Sequence, residues 1–287
     1  MSVGFVLWLF AIAFGCSALG GMLGMASGIF IVPLLTLFGH LDIYTAVGAS
    51  LVSVIACSCG SAGPFLTRGL TNVRLAIVLE TATTSGALTG VLLVGIIPTK
   101  WLYFLFAAIL LVSAQQMWTP RRAVAVLLGA ADEKSWGDRL ALNSSYPDTT
   151  LGETVDYRVH RVPMGMLLMY AAGLISALLG IGSGVLKIPA MDTALRLPLK
   201  VSTATSNFMI GVTAAASAGA YFMRGNIVPG IAGPVALGSV LGSLLGARIL
   251  LAISSEKIRL FFVVVLLLLA VAMTLTAFDV HLFGAAK

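Results

Sequence analysis

Two ionisable side chains stand inside apolar stretches of this chain, one of each sign. Lys187 lies in Gly180-Ile-Gly-Ser-Gly-Val-Leu-Lys-Ile-Pro189, and Glu80 lies six residues beyond Arg74 in another apolar run. An ionisable group surrounded by apolar residues costs free energy unless it is paired or used, so each one is a candidate for function. A buried lysine offers three donors and a positive charge to an anion. Three other roles are open to it: its head reaching an interface, pairing with Asp192, or pairing with Glu80. Glu80 has three roles open as well, as the structural partner of Lys187, as carrier of a coupling proton, or as an interfacial residue.

Around these charges the sequence sets glycines and hydroxyls. The stretch Gly24-Met-Ala-Ser-Gly-Ile-Phe-Ile-Val-Pro33 reads like an earlier copy of 180–189, with Pro33 and Pro189 156 residues apart. The same offset pairs Ser50 with Ser206, Arg68-Gly69 with Arg224-Gly225, Gly86 with Gly242 and Gly90 with Gly246. Ungapped register over so many positions reads as a duplicated unit, a common build for membrane carriers. A helix that restarts at Gly28 or Gly184 presents free N–H groups and the positive end of its dipole. Glycines at 24, 28, 182 and 184 let backbone approach a ligand closely. Ser27, Ser50, Ser183, Thr205, Ser206 and the Asn207 amide add donors. The alternative for each hydroxyl is a bond to its own helix backbone. Together with Lys187, these residues are the expected anion-binding set, and the Ser202–Asn207 run is expected to line one polar cavity with Lys187. Lys187 and Glu80 have Ile31 and Ala236 as counterparts, so each repeat departs from the other by one charge of opposite sign.

The elements that position them are membrane spans. Of 287 residues, 59% are hydrophobic and 10% charged, with a mean hydropathy of +1.04, against about 25% charged in soluble domains. The net charge of +6 resides in short loops between apolar runs, the pattern of a membrane protein and not of a nucleic-acid binder. No Lys or Arg precedes the first apolar run, so it is expected to be retained and not cleaved as a signal peptide. Cys16, Cys57 and Cys59 are expected to be buried free thiols, and no metal-ligand cluster or cofactor motif is evident.

Four apolar segments fall in each half: 4–38, 44–66, 75–97 and 101–118, then 163–190, 201–222, 228–251 and 258–278. The expected fold is all-α and polytopic, with about eight transmembrane helices in two internal repeats and broken or re-entrant first segments. The repeats are 1–118 and 163–287, and 119–162 is a polar inter-repeat loop with short helical pieces, with a small capping domain as the alternative. Residues 4–38 as one straight helix would reach about 52 Å, against a hydrocarbon core of about 30 Å. A break is therefore expected at Gly24, Gly28 and Pro33 and again at Gly180, Gly184 and Pro189. Eight full crossings would put both termini and the loop on one face, with loop charge leaning toward cytoplasmic termini. One re-entrant segment per half would instead make the repeats inverted.

The paired Gly-x-x-Ser-Gly motifs ending in Pro33 and Pro189, the Ser202–Asn207 run and the Arg-Gly pairs resemble the TauE/SafE family of sulfite and organosulfonate exporters. The likeness covers nearly all of the chain except the polar loop. The second motif matches the family closely, whereas Met25-Ala26 departs from its Ile-Gly. The resemblance implies transport of a small sulfur-containing anion, sulfite or an organosulfonate, across a bacterial cell membrane, with export the direction expected. Proton-coupled uptake of a sulfur oxyanion or small carboxylate is the alternative. An intramembrane enzyme is disfavoured, because His40, His160 and His281 all fall in predicted loops or a terminus and no nucleophile–base pair forms. A purely structural membrane protein leaves Lys187 and Glu80 unexplained. The partners expected are the anion and the lipid bilayer, with no nucleic acid; a homodimer is one arrangement left open.

Overall fold

A computed structural model describes residues 2–23, 27–118, 136–148, 153–249 and 255–278. These form α1 (Val3–Leu23), α2 (Gly28–Leu37), α3 (Ile43–Thr67), α4 (Val73–Leu93), α5 (Thr99–Trp118), the short α6 (Trp136–Arg139), a hairpin of β1 (Ser144–Asp148) and β2 (Glu153–Tyr157), then α7 (Val162–Leu179), α8 (Gly184–Thr193), α9 (Leu199–Met223), α10 (Pro229–Ile249) and α11 (Ser255–Ala277). The protein is mostly helical. Among the described residues, five helices are long and apolar enough to cross a membrane: α1, α3, α4, α7 and α10. α9 is diluted by its hydroxyls, its amide and Lys200 and does not meet that measure.

Local chemistry accounts for the helix ends. Asp42 accepts the Thr45 N–H at 2.9 Å to start α3, and Asn72 accepts that of Leu75 at 3.0 Å to start α4. α7 stops at Gly180, where φ is +64°, and Gly182 repeats that left-handed value before α8 begins. Only glycine adopts this backbone without strain, and two such residues within three positions turn the chain sharply.

The boundaries of α2, α3 and α4 recur at α8, α9 and α10, each exactly 156 residues on. Helix packing follows the same exchange. A Cβ on Gly86 would sit 2.0 Å from the Tyr170 carbonyl oxygen, and one on Gly242 would sit 2.1 Å from that of Phe14. Phe14 and Tyr170 are themselves 156 apart. Gly90 meets the Leu174 carbonyl as Gly246 meets that of Ala18. These small-residue faces let α4 lie on α7 and α10 on α1 at backbone contact, the adhesion open to helices in lipid.

The same contacts give helix directions. Gly238, Gly242 and Gly246 meet Phe10, Phe14 and Ala18 in increasing order, so α1 and α10 run parallel. α3 joins them, since Gly48 lies at Asn226 and Gly60 at Ser243. In the other set, α4 runs with α7 and also with α9, through Asn72 to Thr205 and Glu80 to Thr213. The start of α3 meets the end of α4, where Tyr44 Oη donates to the Ile97 carbonyl, so the two sets are opposed. Because α1 and α3 share a direction, α2 must return to the face from which α1 started, and Gly39 indeed lies against Trp8. α8 returns likewise, with the His160 N–H donating to the Leu195 carbonyl. At ten residues each, α2 and α8 are about 15 Å long, half a hydrocarbon core. Eight full crossings would have put the start of α1 and the inter-repeat loop on one face; with α2 and α8 turning back, they lie on opposite faces.

The described part of the loop holds one short helical piece, α6, and adds an antiparallel hairpin pairing Ser144–Asp148 with Glu153–Tyr157. Leu142, Tyr146, Tyr157 and Val159 bury against α4, α8 and the 194–198 turn. These few apolar residues are spaced among many charges, so average composition conceals the docking face. Asn72 fixes the hairpin further, donating through Nδ2 to the Leu142 carbonyl at 2.8 Å and to Tyr157 Oη at 3.0 Å. Burial pushes the Tyr157 phenol above its ordinary value, outweighing the hydrogen bonds from Asn72 and Ser144.

Candidate functional site

The two bends meet in the interior. A Cβ on Gly28, the first residue of α2, would lie 2.3 Å from the Gly180 carbonyl oxygen and 2.6 Å from Ser50 Oγ, and Ser50 itself donates to that carbonyl at 2.7 Å. Ser27, Gly28 and Ser50 are thereby brought against residues 180–182. No side chain larger than hydrogen fits at position 28, which explains the glycine in physical terms. Gly24 lies outside the described residues.

At the second bend, Ser183 occupies the N-cap of α8 without capping it, and Gly184 opens the helix. Ser183 Oγ, Ser206 Oγ and Asn207 Nδ2 are buried and have no hydrogen-bond partner among the described residues. Ser176 Oγ and Ser202 Oγ are unpaired as well; leaving a buried polar group unpaired costs about 1–3 kcal/mol, so these donors are a signal of a missing acceptor. The counterpart of Ser183 shows what is lacking. Ser27 shares a hydrogen bond with Ser53 at 2.8 Å, whereas the residue 156 beyond Ser53 is Met209, which offers no hydroxyl.

Lys187 is fully buried and ion-paired with Glu80, Nζ to Oε2 at 3.0 Å. Nζ also donates to Thr213 Oγ1 at 2.7 Å, and Thr213 and Thr84 donate to Glu80 Oε1 at 2.5 and 3.2 Å. Of the roles open to Lys187, the structure displays pairing with Glu80, not snorkelling and not pairing with Asp192. The network joins α4, α8 and α9 and satisfies both charges, the condition under which a buried pair is tolerated.

The expected shared cavity for Lys187 and the Ser202–Asn207 run takes another form. Thr205 Oγ1 accepts the Asn72 N–H at 3.2 Å beneath the hairpin, while Lys187 turns to Thr213, two helical turns along α9. Between α4 and α9 a groove of about 480 Å³ opens sideways, lined by Ala76, Ile77, Phe208, Met209 and Val212, with Glu80 reaching it. Glu80 is 9% exposed there, and neither Lys187 nor residues 202–207 line the groove. The two parts of the expected set are therefore split by the ion pair.

Several participants escaped the sequence reading: Thr213, Thr84, Asn72, Ser53 and Ser239. Thr213 had a signal, since Ser202, Ser206, Met209, Thr213 and Ser217 follow one another at helical spacing on α9. Asn72 had the signature of a helix cap and nothing to announce its hairpin contacts. Cys16 and Cys57 are buried free thiols, but Cys59 is exposed. It sits two residues from Cys57 and so faces away from the interior.

The Sulfite exporter TauE/SafE family model matches residues 9–273. The chain is similar to the probable membrane transporter protein YdhB of Bacillus subtilis (strain 168), at 24% identity over 228 residues covering 79% of this chain and 83% of that one. It is also similar to the probable membrane transporter protein YunE of the same organism, at 22% identity over 257 residues, 87% and 90% of the two chains. No solved structure matches the chain. With five helices apolar and long enough to cross a membrane among its described residues and this match along nearly its whole length, the chain is a multi-pass membrane transporter and belongs to the sulfite exporter TauE/SafE family.

Proposed function

We propose that the protein is a secondary transporter that moves a small sulfur-containing anion, sulfite or an organosulfonate, out of the cell across the cell membrane. The observation that carries this reading is the set of buried, unpartnered donors formed by Ser183 at the uncapped start of α8 and Ser206 and Asn207 on the neighbouring α9. Donors without acceptors, next to the positive end of a helix dipole, suit an oxyanion. The 156-residue recurrence of helix boundaries and glycine contacts supports an inverted duplicated unit, the build in which substrate sits where discontinuous helices meet.

Loop charge supports an orientation once the helix directions are known. Arg68, Arg74, Arg139, Arg158, Arg161, Arg196 and Lys200 lie toward the hairpin face, against Lys100 and Arg224 toward the other. This excess toward the hairpin face supports a cytoplasmic hairpin and an external start of α1. With the interior negative, an anion gains about 2.3 kcal/mol per charge per 100 mV on leaving, so export runs without a coupling ion. Proton-coupled uptake is the second reading, favoured by the edge of Glu80 that reaches the lateral groove.

The test is flux in proteoliposomes. Sulfite or methanesulfonate loaded inside should leave faster than from protein-free liposomes, and an imposed potential, negative on the lumen side, should accelerate it. Flux indistinguishable from empty vesicles for both anions overturns transport of this class. Flux that requires a proton gradient moves the choice to the second reading.

A further inference from the structure

The groove between α4 and α9 opens toward lipid, not toward water. Glu80, which reaches it, is the eighth residue of α4, about 10 Å along a helix of about 31 Å. A helix of that length crosses the hydrocarbon core, so hydrocarbon surrounds the opening. Ile77 and Val212 flank it and are 60% and 49% exposed. Toward the hairpin, Leu75, Ala76 and Leu79 pack with Leu142, Tyr146 and Tyr157. That apolar layer separates the groove from the aqueous face.

The lining selects what can enter. The walls are apolar, and the volume of about 480 Å³ falls within the range of small-molecule pockets, about 300–1,000 Å³. Thr84 lines the groove too and donates to Glu80 Oε1 at 3.2 Å, so the Oε1 edge lies toward the opening and Oε2 toward Lys187. A carboxylate has about four lone-pair sites, and Lys187, Thr213 and Thr84 use three of them. One acceptor position is left facing hydrocarbon. Because the charges of Glu80 and Lys187 cancel, the occupant that fits is uncharged as well as apolar. A lipid tail matches the walls and offers nothing to the carboxylate, whereas an apolar electrophile matches both.

We infer that the lateral groove is a binding and modification site for small, uncharged, apolar electrophiles dissolved in the bilayer, with Glu80 as the reacting group and Lys187 as the acceptor of its acyl carbon. Dialkylcarbodiimides are the matching class. The Lys187 ammonium gives one proton to a carbodiimide nitrogen, and the Glu80 carboxylate adds to the central carbon as an O-acylisourea. The freed Lys187 amine, which starts 3.0 Å from Oε2, attacks the acyl carbon at near-attack distance. The C–O bond breaks, and the dialkylurea leaves with a second proton from the lysine nitrogen. Carboxylate, ammonium and carbodiimide thus become one amide and one urea, with no net charge and no oxidation or reduction. The amide fastens α4 to α8. None of these steps depends on which anion is carried.

The full chain in lipid nanodiscs, treated with dicyclohexylcarbodiimide or with a water-soluble carbodiimide bearing a cationic amine, tests it by mass spectrometry. The apolar reagent should lower the mass by one water and join the peptides holding Glu80 and Lys187. The water-soluble reagent should not. Val212→Phe narrows the opening from an exposed position, so thermal stability should hold while the joined product forms more slowly by about tenfold. Glu80→Gln with Lys187→Met should give no such product. Equal reaction with both reagents places the access in water and overturns the lateral site, as does an unchanged rate in Val212→Phe. No product with the apolar reagent overturns it too, and marks the groove as filled by lipid tails. A carbodiimide adduct retained on Glu80 overturns the transfer to Lys187.

Discussion

At the scale of single residues, Glu80 and Lys187 set the strongest constraint. Each is worth keeping buried only because of the other and of Thr213 and Thr84. Glu80→Gln strands the Lys187 ammonium, and losing one member of a buried pair costs about 3–5 kcal/mol. Thermal stability in detergent and membrane yield should therefore fall, and flux with them. Glu80→Gln combined with Lys187→Met removes both charges and should restore stability. If Glu80→Gln folds normally and loses only proton-driven accumulation while exchange persists, Glu80 works as a proton carrier. Both charges were visible in the sequence because the repeat predicts Ala and Ile in their places. Thr213 was not singled out, since a threonine in a helix has a self-sufficient reading, a bond to its own backbone.

At the scale of elements, glycines set the spacing and Asn72 sets the hairpin. Gly242→Ala places a methyl 2.1 Å from the Phe14 carbonyl oxygen, so α10 and α1 must separate. A loss of at least about 1–3 kcal/mol is expected, measured as a lowered melting temperature. Gly15→Ala meets nothing within 4 Å and should be tolerated. Asn72→Ala removes the cap of α4, about 1 kcal/mol, together with both bonds to the hairpin. Hydrogen exchange should then rise in Ser144–Asp148 and Glu153–Tyr157 ahead of the helices. Unchanged protection there means that the apolar contacts of Tyr146 and Tyr157 hold the hairpin alone. The helix breaks were legible because Gly28, Gly180 and Gly184 mark them and residues 4–38 are too long for one span, but Pro33 and Pro189, expected to mark them too, lie inside α2 and α8. The hairpin was not, because two strands of five residues rich in Ser, Asp and Glu carry no run of apolar alternation.

At the scale of the molecule, direction is the property that sequence periodicity withholds. A hydrophobic run looks the same whether it crosses the bilayer or turns back inside it. Only ordered contacts with α10, those of Gly242 and Gly246 with Phe14 and Ala18 and those of Gly48 and Gly60 with Asn226 and Ser243, reveal that α1 and α3 run the same way. The orientation that follows is testable in a cysteine-free background. A thiol placed at His40 should react with a membrane-impermeant reagent from outside intact cells, and one at Ser145 only after lysis. The reverse pattern would place the hairpin outside and undo the orientation, and equal labelling of both would undo the opposed faces.

The ion pair also dictates an order of events during synthesis. Glu80 and Lys187 are separated by 107 residues, and ribosomes add roughly 5–20 residues per second. For about 5–20 s α4 must therefore reside in the translocon or the bilayer without its cation. The first repeat made alone is thus an unfinished product carrying a solitary charge where lipid tolerates it poorly, and membrane quality control should clear it. Supplied as a separate polypeptide, the second repeat brings the missing ammonium, so two co-expressed halves should accumulate together where each alone does not. Expressed this way, one salt bridge acts as a checkpoint certifying that both halves of the transporter have been made.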